Sequence, residues 1–296
     1  MARQLYEAII DGILGGGVYA LMAVGLTLIF GVLDIINIAQ GILVVTAAYL
    51  SYVLSVHLHI DLFLGLLVTV PAMFLVGVAI QLLFMRPLRG RERVSMSLLA
   101  SYAVAIILEG VLYAIFGPNT VQLNAWYVNK GVKILGGPQP YYLPYIYLFG
   151  FGLAVILVAV IYYMLYRTKF GRSIRATMQD HTSARLIGID VNRVAALTFG
   201  IGVAVTAVGG MVYGSLNQFN ANSGYDLISR LLAIIVLGGL GSIGGALVAS
   251  VFMITVESVV DIWSPSYAVV VFYAALVLVL IIKPTGLFGK PEARAQ

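Results

Sequence analysis

The sequence predicts an all-α polytopic membrane protein, one transmembrane domain spanning residues 1–296, and three observations predict it. Hydrophobic residues make up 61% of the chain and charged residues only 10%, against roughly 25% charged in average soluble domains. Mean hydropathy is +1.02. The charges crowd into short stretches, and the neutral runs between them are long enough to cross a hydrocarbon core of ~30 Å at about 1.5 Å per residue.

The net charge of +5 and pI near 9.3 report topology, not nucleic-acid binding. Thirteen of the 17 Lys and Arg residues fall in three places: Arg86–Arg93, Arg167–Arg193 and the tail from Lys283. Such clusters mark the cytoplasmic side. With no cysteine and three scattered histidines (His57, His59, His181), the chain offers no thiolate chemistry and little for a metal site. No cofactor is expected.

The first apolar run, Gly12–Leu33, lacks a following A-x-A-like site, so the first span is expected to stay in place. Asp34 alone divides it from Ile35–Val56. One residue cannot reverse a chain, so the turn must consume part of a run. The candidate is 31–41, GVLDIINIAQG, where Asp34, Asn37 and Gln40 cluster between two glycines. Irregular polar backbone at this depth must be buried in protein or line a wet cavity. Those three side chains either line a path or satisfy the broken backbone.

After the polar turn 57–61 come the span Leu62–Met85, with Pro71 as a kink, the basic loop, and Ser95–Phe116 with Glu109 inside it. Gly117–Tyr141 reads as a loop, and tyrosines at its end fit an interfacial belt. Tyr142–Tyr166 and Ala195–Leu216 span again, the second followed by the polar loop 217–230. The apolar run from Leu231 is interrupted at 238–245, GGLGSIGG. Glycine costs roughly 1 kcal/mol relative to Ala in a helix interior, so two segments are expected, Leu231–Leu237 and Ala246–Val260. Ser266–Ile282 spans last. The basic clusters put the N-terminus and the 117–141 loop outside, the C-terminus inside, and make 231–260 a hairpin entered from outside. The total is about eight to nine segments, broken or re-entrant near 31–41 and 238–245. Broken segments point to a transporter's translocation site, here Asp34, Asn37, Gln40, Gly238, Gly239, Gly241 and Ser242.

The long polar stretch 167–193 carries six basic residues, two acids, turn signals at Gly171 and Gly188, and apolar groups between them. A short surface helix against a partner has this pattern; attraction of its arginines to anionic membrane lipid is the plainer reading. The glycine-rich 238–245 lacks the Lys-Ser/Thr of a phosphate loop, so ATP, if used, is bound by another chain. Glu109 and Glu257 are the acids deepest in apolar runs, where a carboxylate faces a cavity or a partner. The sequence names no basic partner for either.

Taken in order, GVYALMAVGLTLIFGVLDIINIAQG, GRSIRATMQDHTSARLIGIDVNR, VLGGLGSIGGALVAS and KPTGLFGK resemble the permeases of branched-chain amino acid ABC importers, in particular the member of the permease pair with the shorter N-terminus. The resemblance covers nearly the whole chain. It implies a permease subunit of the bacterial inner membrane, not an enzyme, paired with a second homologous permease, two ATPase subunits and an extracytoplasmic substrate-binding protein. Family members with this pattern move aliphatic amino acids, amides, urea or small organic acids. A coupling helix near Thr177–Gly188 is implied, with Asp180, Ser183, Ala184 and Gly188 against the ATPase and Arg172 and Arg175 nearby. The competing reading is a stand-alone proton- or ion-coupled transporter with Glu109 and Glu257 as its titrating pair.

Overall fold

The computed structural model describes residues 2–88, 93–135 and 141–289. The rest of the basic clusters, 89–92 and 290–296, and the 136–140 part of the loop lie outside the described residues. In order the elements are α1 (Ala2–Leu33), α2 (Gln40–His57), α3 (Leu62–Ile80, continued by a π-turn at Gln81–Met85), α4 (Arg93–Phe116), α5 (Trp126–Asn129), β1 (Gly131–Leu135), β2 (Tyr141–Pro144), α6 (Tyr145–Arg167), α7 (Lys169–Gln179), α8 (His181–Leu186), α9 (Val191–Leu216), α10 (Ser223–Gly238), α11 (Ile243–Asp261) and α12 (Pro265–Ile282). Among the described residues, eight helices are long and apolar enough to cross a membrane.

Burial sorts these helices into two shells. The windows of α1 and α9 are 72% and 89% buried inside the chain, whereas that of α12 is 11%. The outer shell of α3, α4, α6 and α12 turns Leu67, Leu75, Leu99, Ile115, Val160 and Ile281 outward. Apolar surface all round a helix suits a hydrocarbon surround.

The inner shell is held by small residues. A Cβ built at Gly12 would lie 2.5 Å from Thr255 Cα, and one at Gly16 would lie 2.6 Å from Val251 Cα, so α1 and α11 touch backbone to backbone. One turn pair further, Gly25 and Gly202 of α9 each face the other's carbonyl oxygen. In lipid, where apolar burial gives no net drive to helix association, such close approach supplies the van der Waals contact that does.

Both expected breaks occur. Residues 34–39 are non-helical between α1 and α2, and Asp34 takes φ +54°, a left-handed conformation that Asp tolerates better than most residues. The second break is the turn 239–242 between α10 and α11. There a Cβ on Gly238 would meet Gly245, and Gly239 meets the backbone of Gly289. The chain after α12 folds back so that Leu287 N–H donates to Leu237 O (2.7 Å) and Phe288 N–H to Gly238 O (3.1 Å). Terminal carbonyls of α10 that lack helical partners are thereby satisfied.

Two expectations need correcting. The first segment of the late hairpin starts at Ser223, not Leu231, so Tyr225, Asp226 and Arg230 sit on a helix and not in a loop. Asp226 and Arg230 form an i,i+4 ion pair at 3.2 Å, so the charges that ended the apolar run support the helix instead of breaking it. The 117–141 loop also holds structure of its own, the short α5 and β1, whose antiparallel partner β2 takes the first residues of the expected span Tyr142–Tyr166, so that α6 starts at Tyr145.

The packing makes a test. Gly16→Ala should lower stability by about 1–3 kcal/mol, the usual cost of overpacking, because its new methyl meets main chain. Gly110→Ala, with nothing within 4 Å, should not. Detergent-phase thermal unfolding monitored by size-exclusion chromatography compares them; equal melting points would contradict the backbone contact.

Candidate functional site

Four groups of predicted residues can be located. At the first break, Asn37 and Gln40 are buried and Asp34 is exposed, so the three do not share one surface. Asn37 Nδ2 donates to Gln40 Oε1 (3.0 Å) and Gln40 Nε2 to Thr206 Oγ1 (2.5 Å), near the middle of α9. Thr206 Oγ1 in turn donates to Gly202 O (2.9 Å). Ser101 of α4 serves the broken backbone, accepting from Ile38 N–H and facing Ile36 O. The freed groups at this depth thus find partners inside the protein. Asn37 Oδ1 is buried with none among the described residues.

At the second break Gly238 and Gly239 are buried, Gly241 and Ser242 partly open. Ser242 caps α11, its Oγ accepting from Gly245 N–H at 3.1 Å. Gly241 adopts φ +79°. Gly31 of α1 and Gly241 approach each other here, and Met178 of α7 reaches Gly31. The two breaks and the polar segment therefore meet at one end of the bundle.

The acids acquire partners that the sequence did not name. Arg230 Nη1 donates to both oxygens of Glu257, at 2.6 and 2.5 Å, and its Nε to Asp226 Oδ2. Its guanidinium also lies over the Phe272 ring of α12, 5.6 Å from the centroid. Glu109 accepts from Tyr225 OH at 2.5 Å. Glu109 and Glu257 are thus each held by a partner of its own on α10, Tyr225 and Arg230, and neither bonds the other. The signal that could have found this was the lone Arg230, outside every basic cluster and four residues after Asp226.

In the 167–193 segment, Thr168 Oγ1 accepts from Gly171 N–H (3.0 Å) to start α7. Asp180 starts α8, accepting from Thr182 N–H (2.9 Å), Ser183 N–H (3.2 Å) and Ser183 Oγ (2.5 Å). The turn after α8 closes with Ile189 N–H to Ala184 O and Gly188 at φ +85°, a conformation glycine adopts without strain. Side-chain placement differs from the simplest reading of the segment. Ala184 is buried, Arg175 donates to the Leu165 carbonyl and stacks over Tyr166, and Arg172 is exposed. The outward apolar groups are Leu186 and Ile187, 83% and 73% exposed. The sequence counts both among the apolar groups of the segment but does not single them out as the contact, because burial of one residue on so short a helix depends on how α8 is tilted against α9.

The family described as "Branched-chain amino acid transport system / permease component" matches residues 8–280. The chain is 30% identical over 97% of its length to the high-affinity branched-chain amino acid transport system permease protein LivH of Salmonella typhimurium, 96% of which is covered. To the permease protein BraD of Pseudomonas aeruginosa, named for the same transport system, it is 29% identical with the same coverage. Among solved structures, PsaBC from Streptococcus pneumoniae in complex with Fab aligns at TM-score 0.49 and 14% identity, over 97% of this chain and 98% of that one.

The α8 cap is a testable detail. Hydrogen bonds from Ser183 Oγ and then from the Thr182 and Ser183 amides hold the Asp180 carboxyl below its usual range. A depressed pKa means that the cap's contribution is full above the unfolded value and is lost as pH falls through the folded one. Asp180→Ala should speed amide hydrogen exchange at Thr182 and Ser183 at neutral pH, while Asp180→Asn, itself a good cap, should retain protection. Equal exchange in all three proteins would refute the cap.

Proposed function

Since the chain belongs to the branched-chain amino acid transport permease family, we propose that it is a permease subunit of an ATP-binding-cassette importer for branched-chain or related small amino acids in a bacterial plasma membrane. Its helices form one side of the translocation pathway. It works beside a second homologous permease, two ATPase subunits and an extracytoplasmic substrate-binding protein. ATP is hydrolysed in the partner chains, and this chain changes which side of the membrane its cavity faces.

The observation that carries the coupling role is the surface of α7–α8. Leu186 and Ile187 stand outward on a helix pinned at one end by Asp180 and at the other by the Gly188 turn. An exposed apolar pair held rigidly beside water is costly unless a partner covers it. The α7 helix behind it touches α1 beside both breaks through Met178 and Gly31. Movement of an ATPase against α8 therefore has a short mechanical route to the breaks. The proton-coupled reading is less well served, because Glu257 is neutralised by Arg230 and Glu109 is bonded to Tyr225.

Gentle solubilisation of the tagged chain from its native membrane should copurify two ATPase chains and a related permease. Leu186→Asp with Ile187→Asp should lose the ATPase and reduce leucine uptake at least about tenfold, since losing 1.4 kcal/mol of contact is already tenfold, while the related permease stays bound. Recovery of the unaltered chain alone, or unchanged uptake by the double variant, would reject the coupling role.

A further inference from the structure

The outward face of α10 is polar at a depth where lipid is a poor neighbour. Gly224, in its first turn, packs on Ile42, two residues after Gln40, whose side chain reaches Thr206 near the middle of α9. From that level α10 descends to the turn at Gly239. Tyr225, Asp226 and Ser229 are exposed along it, Asp226 with 62% of its side chain accessible. Carboxylates and hydroxyls at such depth face water or another chain, not hydrocarbon.

Arg230 is set within this face with part of its hydrogen-bonding capacity unused. Its Nη1 serves Glu257 and its Nε serves Asp226. Among the described residues Nη2, with two donor hydrogens, has no partner. Phe272 supports the guanidinium from behind, and Glu257 lies in the next helix with only 15% of its side chain exposed. The guanidinium is therefore held in position, with 15% of the Arg230 side chain exposed, beside the accessible carboxylate of Asp226. A cation and an anion so placed match the two ends of an α-amino acid zwitterion: a planar guanidinium edge for the carboxylate and Asp226 for the ammonium.

We propose that Arg230 and Asp226 form a specificity contact for the zwitterionic headgroup of an amino acid in transit, with Glu257 as the positioning residue that holds the guanidinium. This rests on the permease reading above. Side chains of differing aliphatic shape would pass the same contact, because it reads only the headgroup. A carboxylic acid without the amine would leave Asp226 unanswered, and an uncharged amide would leave Arg230 without an anionic partner.

The test uses the complete complex in proteoliposomes with its binding protein and radiolabelled leucine as the probe. Asp226→Asn and Arg230→Met should each lower maximal uptake by about 10- to 100-fold, the range for one hydrogen bond to a charged group. The apparent KM should change little, because the binding protein sets it. Arg230→Lys should recover part of the rate. An ion pair with a purely structural task makes a different forecast: Arg230→Met combined with Glu257→Met leaves no buried orphan charge, since the one carboxylate left unpaired, Asp226, is 62% exposed, and would restore uptake. The proposal requires that this double variant, shown to assemble by copurification of its partners, stay defective. Restored uptake in the double variant, or unchanged uptake in Asp226→Asn, overturns the contact and leaves the permease reading standing. A wild-type complex that takes up neither leucine nor any other radiolabelled branched-chain or small amino acid overturns that reading, and the contact with it.

Discussion

The fold depends on how closely α1 can approach α11 and α9. Gly12 and Gly16 bring α1 against Thr255 and Val251, and Gly25 meets Gly202 with main chain facing main chain. A bilayer gives little hydrophobic reward for joining two apolar helices, so contact area at short range has to supply the attraction. Without those three glycines α1 would stand further off. The two breaks, which lie where α1 ends and α11 begins, would then lose their common wall.

That tight inner shell is what allows irregular backbone to exist deep in the chain. Residues 34–39 interrupt the helix, yet Ser101 bonds the freed groups of Ile36 and Ile38, and the side chains of Asn37 and Gln40 are bonded to each other and to Thr206. At the other break the returning C-terminal segment closes the end of α10 by bonding Leu237 and Gly238. Each break is thus satisfied by a distant part of the sequence, which ties together the end of the bundle that also carries α7 and α8. Rigid satisfaction here leaves α10, set between α2 and α11, as the element that presents polar groups to open space.

Charge is used sparingly and in two ways. On α7 and α8 it lies at the surface and arranges local structure, as Asp180 does by capping and Arg175 by holding the end of α6. On α10 it lies deep, and Arg230 has to be answered by Glu257 because an unpaired ion there is costly. The same geometry that stabilises the pair leaves Nη2 of the guanidinium without a partner among the described residues, beside the exposed Asp226, which is where the functional interest of this face lies.

Membrane class, number of spans, positions of both breaks and the separate nature of 167–193 were legible in the sequence, because each follows from local composition: runs without charge, glycine density, basic clusters. The motif order likewise carried the family. Partnerships were not legible. That Glu257 meets Arg230, that Gln40 meets Thr206, that Ala184 turns inward while Leu186 and Ile187 turn outward, all depend on which helices are neighbours and on their rotation. In a chain whose spans are apolar on every side, hydrophobic pattern does not encode rotation, since any face of such a helix is acceptable to lipid. Only close packing between particular small residues chose the faces, and with them the few polar groups that meet.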